Sequence, residues 1–320
     1  MTGFEEFHDE LRSVAADVLG KDRVVDWPVL VDAGWVGLEI PERLGGAGAT
    51  FAESAVICRE MGRAATAGSY LGSGVLAVGT LNALQPSETR DQLLAGIAAG
   101  ECRLAVALDS PDFVPDAAGA DRVLVVADGA VSVAECDVTP VPVVDETRRL
   151  ATVSPRATQQ QAILRFDTDA DVAVRRLRDR AAVAIACDSL GLAEAMLAAT
   201  VDYAKVRHQF GRPIGSFQSV KHACADMLVQ IEVCRQLVDA AVTAVVAGDA
   251  TTAAAMAKSH VCGAAVDIAG KAMQLHGGIG YTWESGIHVY LKRAALNRSL
   301  FGSPAAHRRT LAHRYRNQGE

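Results

Sequence analysis

Hydrophobic positions divide the chain into a helical stretch, a strand-like stretch and a second, longer helical stretch. Near the amino terminus apolar side chains fall at Phe4, Phe7, Leu11, Val14 and Val18, a spacing that predicts a helix over residues 4–20. A short helix follows from Trp27 and runs into a glycine-rich loop ending at Gly48, and residues 52–63 and 87–99 read as further helices around a Gly/Ser/Ala segment at 64–79. From Cys102 the texture changes. Residues 104–108, 122–127, 130–134, 141–144, 150–153 and 162–166 are short, β-branched and bounded by Asp, Gly or Pro, which predicts strands at sandwich or barrel spacing. Residues 169–207, 217–246 and 251–275 then predict three long antiparallel helices, with shorter ones over 284–300 and 304–316. The second long helix is apolar at 217, 220, 224, 227, 231, 234, 238, 241 and 245, one buried stripe of bundle type. Thr251 or Thr252 is the expected cap of the third, whose alanines, Gly263 and Gly270 allow close helix approach.

The fold class is therefore mainly α with a small β domain: an N-terminal helical domain over 1–102, a short middle β domain over 103–168 and a C-terminal helical bundle over 169–320. Half of the 320 residues are hydrophobic, enough for a sizeable core, and few are aromatic, which suits closely packed helices. The net charge of −7 argues against nonspecific binding to nucleic acid or to an anionic membrane, but not against an anionic ligand met by local charge. Seven scattered cysteines, none in CxxC spacing, read as thiols in a reducing compartment, and the dispersed histidines 208, 222, 260 and 276 do not suggest a metal site. The start of the chain lacks the basic and apolar regions of a secretory signal, and a cytoplasmic, soluble protein is expected. Gly45, Gly46 and Gly48 lack the strand and helix that would make them a dinucleotide loop.

Candidate chemistry concentrates at two helix ends. Between the first two long helices, Gly211, Pro213 and Gly215 break the pattern and hold Arg207, His208, Gln209 and Gln218 at a turn. An arginine there can form a bidentate, charge-assisted pair with a phosphate, and a neighbouring glutamine can bond ribose or diphosphate oxygens. The third long helix ends in Gln274, Leu275, His276, Gly277, Gly278, Ile279, Gly280 and Tyr281, whose glycines admit backbone conformations closed to other residues. Either feature alone would read as a solvated cation or a helix C-cap and turn.

Together, Arg207, Phe210, Gly211 and Gln218 followed by Gln274, Gly277, Gly278, Gly280 and Tyr281 resemble the carboxy-terminal domain of acyl-CoA dehydrogenases. The resemblance is strong from about 190 to 293, moderate over the first hundred residues and weak between 103 and 168. It implies an FAD whose ADP part is bound by these motifs while its flavin lies mainly in a neighbouring subunit. It also implies roles: Arg207 and Gln209 at the diphosphate side, Phe210 at the adenosine, and Gln218, Gln274, Gly277 and Gly278 completing the site. The same family carries a flavin-cradling loop and turn in its β domain. The corresponding stretch here, residues 107–115, lacks the glycine-serine-aspartate turn, and the second flavin motif is missing.

The family reaction removes an α-proton from an acyl-CoA thioester with a buried carboxylate and passes a β-hydride to flavin. At the two places where relatives hold that carboxylate this chain has Gly302 and Ala181. Asp188 lies two turns beyond Ala181 on a similar face, either a replacement base or a helix aspartate bonded to a neighbour. Glu284 suits a helix cap as well as a role at the loop after the second motif. The chain thus keeps the half of the FAD site given to a neighbour and lacks the half used for itself. It resembles the short subunit of the α2β2 acyl-CoA dehydrogenases of steroid-degrading actinobacteria. That resemblance implies a homologous partner subunit in a heterotetramer, a steroid-derived acyl-CoA substrate and an electron-transferring flavoprotein as acceptor. The alternatives are a homomeric dehydrogenase using Asp188, or a non-catalytic scaffold subunit.

Overall fold

A computed structural model of the chain describes residues 7–156 and 162–316, with side chains through 313. Five helices open it: α1 (His8–Leu19), α2 (Trp27–Asp32), α3 (Phe51–Ala64), α4 (Val78–Asn82) and α5 (Glu88–Ala98). Thr50 and Glu53 close a reciprocal capping box at the start of α3, which satisfies donors that the helix cannot use itself. The helix α1 forms where its periodicity points, but its buried side chains are Ala15 and Leu19, while Phe7 and Val14 face solvent. Its first turn is held to α3 instead by His8 Nε2, 2.6 Å from Glu53 Oε1. Phe4 lies outside the described residues. Within the Gly/Ser/Ala segment, Tyr70–Ala77 winds as a buried π-helix that continues into α4. The Gly72 N–H finds its acceptor outside the helix, in Asp116 Oδ2 at 2.7 Å.

Seven strands follow: β1 (Leu104–Ala107), β2 (Val114–Pro115), β3 (Arg122–Ala127), β4 (Ala130–Ala134), β5 (Cys136–Val141), β6 (Leu150–Pro155) and β7 (Ala162–Arg165). They make two small sheets, β1-β3-β4-β7 and β2-β6-β5, antiparallel except for the β1–β3 pair. Small side chains such as Ala105, Ala107, Val114, Val123 and Ala151 form a satellite core there. The strand expected at 141–144 lies earlier, as β5. It is an edge strand whose apolar Cys136 and Val138 alternate with Asp137 and Thr139, and an edge tolerates Pro140 because no neighbour needs its N–H.

The rest is the bundle: α6 (Ala170–Val206), a hairpin of β8 (His208–Gln209) and β9 (Arg212–Pro213), α7 (Gln218–Ala247), α8 (Thr251–His276), α9 (Ile287–Ser299) and α10 (Pro304–Arg316). By length and composition α6 could cross a membrane, but 83% of its most apolar window is buried within the fold. It is the central helix, so it is apolar all round rather than along one stripe. In α7 the expected stripe is the buried one, through Met227, Ile231, Cys234, Val238 and Ala241.

Three local expectations are corrected. Gly263 and Gly270 face open space, where a Cβ would meet nothing within 4 Å. The backbone-to-backbone approach occurs instead where α3 crosses α6: a Cβ on Gly62 would overlap the Asp188 carbonyl, and one on Gly191 the Arg59 carbonyl. Neither Thr251 nor Thr252 is the cap of α8, since the N-cap residue is Ala250 and the Thr251 hydroxyl donates to Asp179 Oδ2 on α6 at 2.7 Å. Nor does Glu284 cap α9, whose N-cap is Gly286 in the left-handed region at φ 63°, with Glu284 exposed in the preceding turn.

The crossing gives a paired expectation. Gly191→Ala should lower the unfolding free energy by about 1–3 kcal/mol through overpacking. Gly263→Ala, with open space and a helical backbone, should be neutral or stabilising by up to about 1 kcal/mol. Urea midpoints of the two variants check this, and equal effects would contradict the assigned crossing.

Candidate functional site

The bundle folds up, down and up, so the C-terminal ends of α6 and α8 and the N-terminal end of α7 share one end of it. A ring stack fastens them: Tyr203 of α6 lies on His276 of α8, centroids 4.4 Å apart and planes 20° from parallel. His276 is buried, with Nδ1 2.8 Å from the Ala272 carbonyl oxygen, and so serves the packing rather than projecting from it. Arg207, Gln209, Phe210, Gln218, Gln274, Gly277 and Gly278 all stand exposed at this end.

The hairpin between α6 and α7 is tight because its two central residues, Phe210 at φ 53° and Gly211 at φ 77°, are both left-handed, the backbone of a type I′ turn. Glycine accepts this freely, but for a bulky phenylalanine it is strained. At the tip of this turn Phe210 stands out in solvent, 91% exposed. Below it Phe217 anchors the turn, with the Arg212 guanidinium 4.1 Å from its ring centre. The Ile214 N–H closes the turn onto the Arg207 carbonyl oxygen at 2.7 Å. The Arg207 side chain makes no hydrogen bond or ion pair with the described residues, nor do those of Gln209 and Gln218, while Gln274 Oε1 accepts only from Lys271 Nζ at 3.1 Å. A free guanidinium, unengaged amides and glycines with open space at their α-carbons fit the diphosphate and ribose of a dinucleotide.

Asp188 sits elsewhere, in a closed interior. Arg293 Nε and Nη2 donate to its two oxygens at 3.1 and 2.5 Å, Asn297 Nδ2 donates at 2.6 Å, and Arg148 Nη2 stands 3.0 Å away. Burial alone would raise this carboxyl, but Arg293 and Arg148, with hydrogen bonds from Arg293 and Asn297, overcome it and hold the pKa down at about 2. A carboxylate with every oxygen engaged by fixed cations is a poor proton acceptor near neutrality, so the geometry speaks against Asp188 as base and for a structural ion pair.

The two expected base positions carry no carboxylate. Ala181 is fully buried within α6. Its neighbour Arg180 is locked in a bidentate pair with Glu39 at 2.6 and 2.8 Å. Gly302 has φ 97°, and a Cβ there would stand 2.7 Å from His307 Nε2. The fully buried Lys258 ammonium donates to the carbonyl oxygens of Asn297 at 2.9 Å and Gly302 at 2.8 Å, and a His307 ring nitrogen stands 3.0 Å from that of Phe301. Burial lowers the pKa of Lys258, and these carbonyls at the end of α9 are what it is positioned to cap. Sequence reasoning did not reach Lys258; its signal is a lone cation on the buried face of α8 formed with Ala254, Val261 and Ala265.

Beside this corner lies a cleft of about 440 Å³, walled by residues 108–115 after β1 and by Leu296, Leu300, Phe301 and Gly302. Its lining carries the carboxylates Asp109 and Asp112 and the hydroxyls of Ser110 and Ser299, with no Lys, Arg or His among the lining residues. A dinucleotide diphosphate has no cation to meet there. The donor set thus fits the ADP part of FAD at the Arg207 end and does not fit a diphosphate in this cleft.

Comparison with known proteins agrees with this architecture. Family models for the acyl-CoA dehydrogenase N-terminal and C-terminal domains match residues 5–101 and 171–315. The chain is 37% identical to the acyl-CoA dehydrogenase IpdE2 of Mycobacterium tuberculosis, over 92% of the chain and 87% of that protein. It is 35% identical to IpdE2 of Mycolicibacterium smegmatis, over 95% and 91%. Among solved structures, a Tcur3481–Tcur3483 steroid ACAD variant superposes with TM-score 0.87 at 24% identity, covering 99% of each chain. Butyryl-CoA dehydrogenase from Megasphaera elsdenii gives TM-score 0.83 at 19% identity, covering 98% of each, and these two likenesses bear on the fold alone. This protein belongs to the acyl-CoA dehydrogenase family.

The Asp188 assignment has a pH signature. A folded pKa of about 2, against about 3.9 unfolded, makes a contribution present above pH 4 that is lost as pH falls towards 2. It amounts to about 2–3 kcal/mol. Asp188→Asn should cost about 3–5 kcal/mol at neutral pH, because Arg293 and Arg148 are left buried and unpaired, and should flatten the acid limb of the stability profile. Unchanged stability at pH 7 would contradict the ion-pair role.

Proposed function

We propose that this chain is one subunit of a heteromeric, FAD-dependent acyl-CoA dehydrogenase that carries out α,β-dehydrogenation of an acyl-CoA thioester. The observation that carries the reading is an asymmetry. One end of the bundle presents unengaged donors suited to a dinucleotide, while the chain's own cleft has no cation among its lining residues and the expected base positions hold Gly302 and Ala181. In this reading Arg207 and Gln209 hold the diphosphate, Phe210 packs along the adenosine, and Gln218, Gln274, Gly277 and Gly278 complete the ADP-side half of a shared site. A homologous partner in an α2β2 tetramer supplies the flavin pocket and the carboxylate that takes the α-proton. Bound FAD supplies the hydride acceptor. The Tyr203–His276 stack keeps the two donor motifs in register. A steroid-derived thioester is the proposed substrate, and an electron-transferring flavoprotein is the proposed acceptor.

The test is Arg207→Ala in the co-purified complex. Loss of a charge-assisted bidentate contact, about 1.5–3 kcal/mol, should weaken FAD binding roughly 10- to 150-fold. Flavin content after gel filtration should fall while the tetramer persists. Full retention of flavin would mean that the chain only stabilises its partner.

A further inference from the structure

Away from the cleft, a cavity of about 100 Å³ lies at the seam between the N-terminal helices and the β region. Its walls come from the α1–α2 loop, from residues 67–69 ahead of the π-helix, from Arg103 before β1, from the β2–β3 turn and from Thr147 and Arg149 before β6. Backbone pairing fixes these walls. The Val25 N–H donates to the Ala67 carbonyl oxygen at 2.9 Å, the Asp116 N–H to that of Arg149 at 2.9 Å, and the Asp121 N–H to that of Arg103 at 2.8 Å. The volume is well below the roughly 300 Å³ at which drug-sized ligands are housed, so it admits a molecule of a few heavy atoms and excludes a nucleotide.

Four charged side chains line this small space: Arg103, Arg149, Asp26 and Asp116. The two guanidinium groups and the Asp26 carboxylate make no hydrogen bond or ion pair with the described residues. Asp116 is held at φ 58°, a left-handed backbone that aspartate tolerates. Its Oδ2 accepts from the Gly72 N–H of the π-helix at 2.7 Å, and its Oδ1 takes no hydrogen bond from the described residues. Burial pushes this carboxyl up to about 6.

Cations and carboxylates thus share one cavity without pairing to each other. A guanidinium only donates and an ionised carboxylate only accepts. A simple anion would satisfy the arginines and be repelled by the aspartates, and a simple cation would do the reverse. A molecule with a carboxylate at one end and an ammonium at the other meets both, and arginine can grip the carboxylate in bidentate fashion. The Ser69 hydroxyl, which also lines the cavity, can serve either end. Arg149 and Asp26 are exposed at the rim, while Arg103, Ser69 and Asp116 are half-buried. Each pairing is therefore worth little alone in water, and tight binding needs both ends engaged together.

We propose that this seam cavity binds a small zwitterion, a free amino acid of the size of glycine or alanine, with its carboxylate on Arg103 and Arg149 and its ammonium on Asp116 and Asp26. The inference is independent of the shared-cofactor reading, since none of these residues belongs to the Arg207 end or to the cleft. The occupant braces the seam: Asp116 connects it to the π-helix through Gly72, and Thr147 in the same wall accepts from Arg293 Nη1 at 2.8 Å.

The experiment titrates the full-length chain with glycine, acetate and methylammonium in turn, followed by ligand-observed NMR at constant ionic strength and slightly alkaline pH, where Asp116 is ionised. Saturable binding of glycine in the millimolar range is expected, with acetate and methylammonium each weaker by about tenfold or more. Arg149→Gln and Asp26→Asn, both exposed and without partners in the fold, should each weaken glycine by roughly fivefold with an unchanged melting temperature. Acetate or methylammonium bound as tightly as glycine, no saturation with glycine, or glycine binding untouched by either variant would overturn the proposal.

Discussion

The buried pair of Asp188 and Arg293 is the joint on which the architecture turns. Asp188 stands on the central helix α6 and Arg293 on α9, and from there Arg293 Nη1 reaches the Thr66 carbonyl oxygen and the Thr147 hydroxyl, both at 2.8 Å. Arg148 and Asn297 complete the set, joined to each other at 3.1 Å. Segments from the N-terminal helices, the β region and the bundle therefore meet on one carboxylate. Burying charge is costly, and this cluster is tolerable only because each ion is paired and its donors find acceptors. Removing any member leaves the others stranded, so the three regions depend on one geometry.

The same joint fixes what lies beyond it. Arg293 and Asn297 set the position of α9, and the end of α9 carries the corner of Leu300, Phe301 and Gly302 that walls the cleft. Lys258 and His307 then hold that corner in a backbone that excludes a side chain at Gly302. At Gly302, the expected base position, the backbone is left-handed and a side chain would meet His307, so this corner is shaped around glycine. At the far end of α6 the reverse holds: Arg207 and its neighbours are left open, on a turn kept rigid by Phe210 and Gly211.

Much of this was legible in the chain. Long alanine- and leucine-rich periods marked α6, α7 and α8, the stripe on α7 was the buried one, and the glycines and proline at 211–215 marked the turn that became a hairpin. What depended on distant partners was not. Asp188 could be read as base or ion-pair member until Arg293, Arg148 and Asn297 were seen to enclose it. Gly62 and Gly191 look no different from Gly263 and Gly270 in sequence, and only the crossing of α3 with α6 distinguishes them. The edge strand β5 carries half-polar alternation and a proline, which hid it, and the π-helix at Tyr70–Ala77 has a composition that resembles a loop.

Two halves of a site, one open and one closed, make sense together in an assembly where a second chain supplies what this one lacks. The direct test is the flavin absorbance and native mass of the chain purified alone and then co-expressed with a homologous acyl-CoA dehydrogenase chain. The account predicts colourless protein alone and a yellow mixed tetramer holding one FAD for each pair of unlike chains. A yellow homomer from this chain by itself would contradict it.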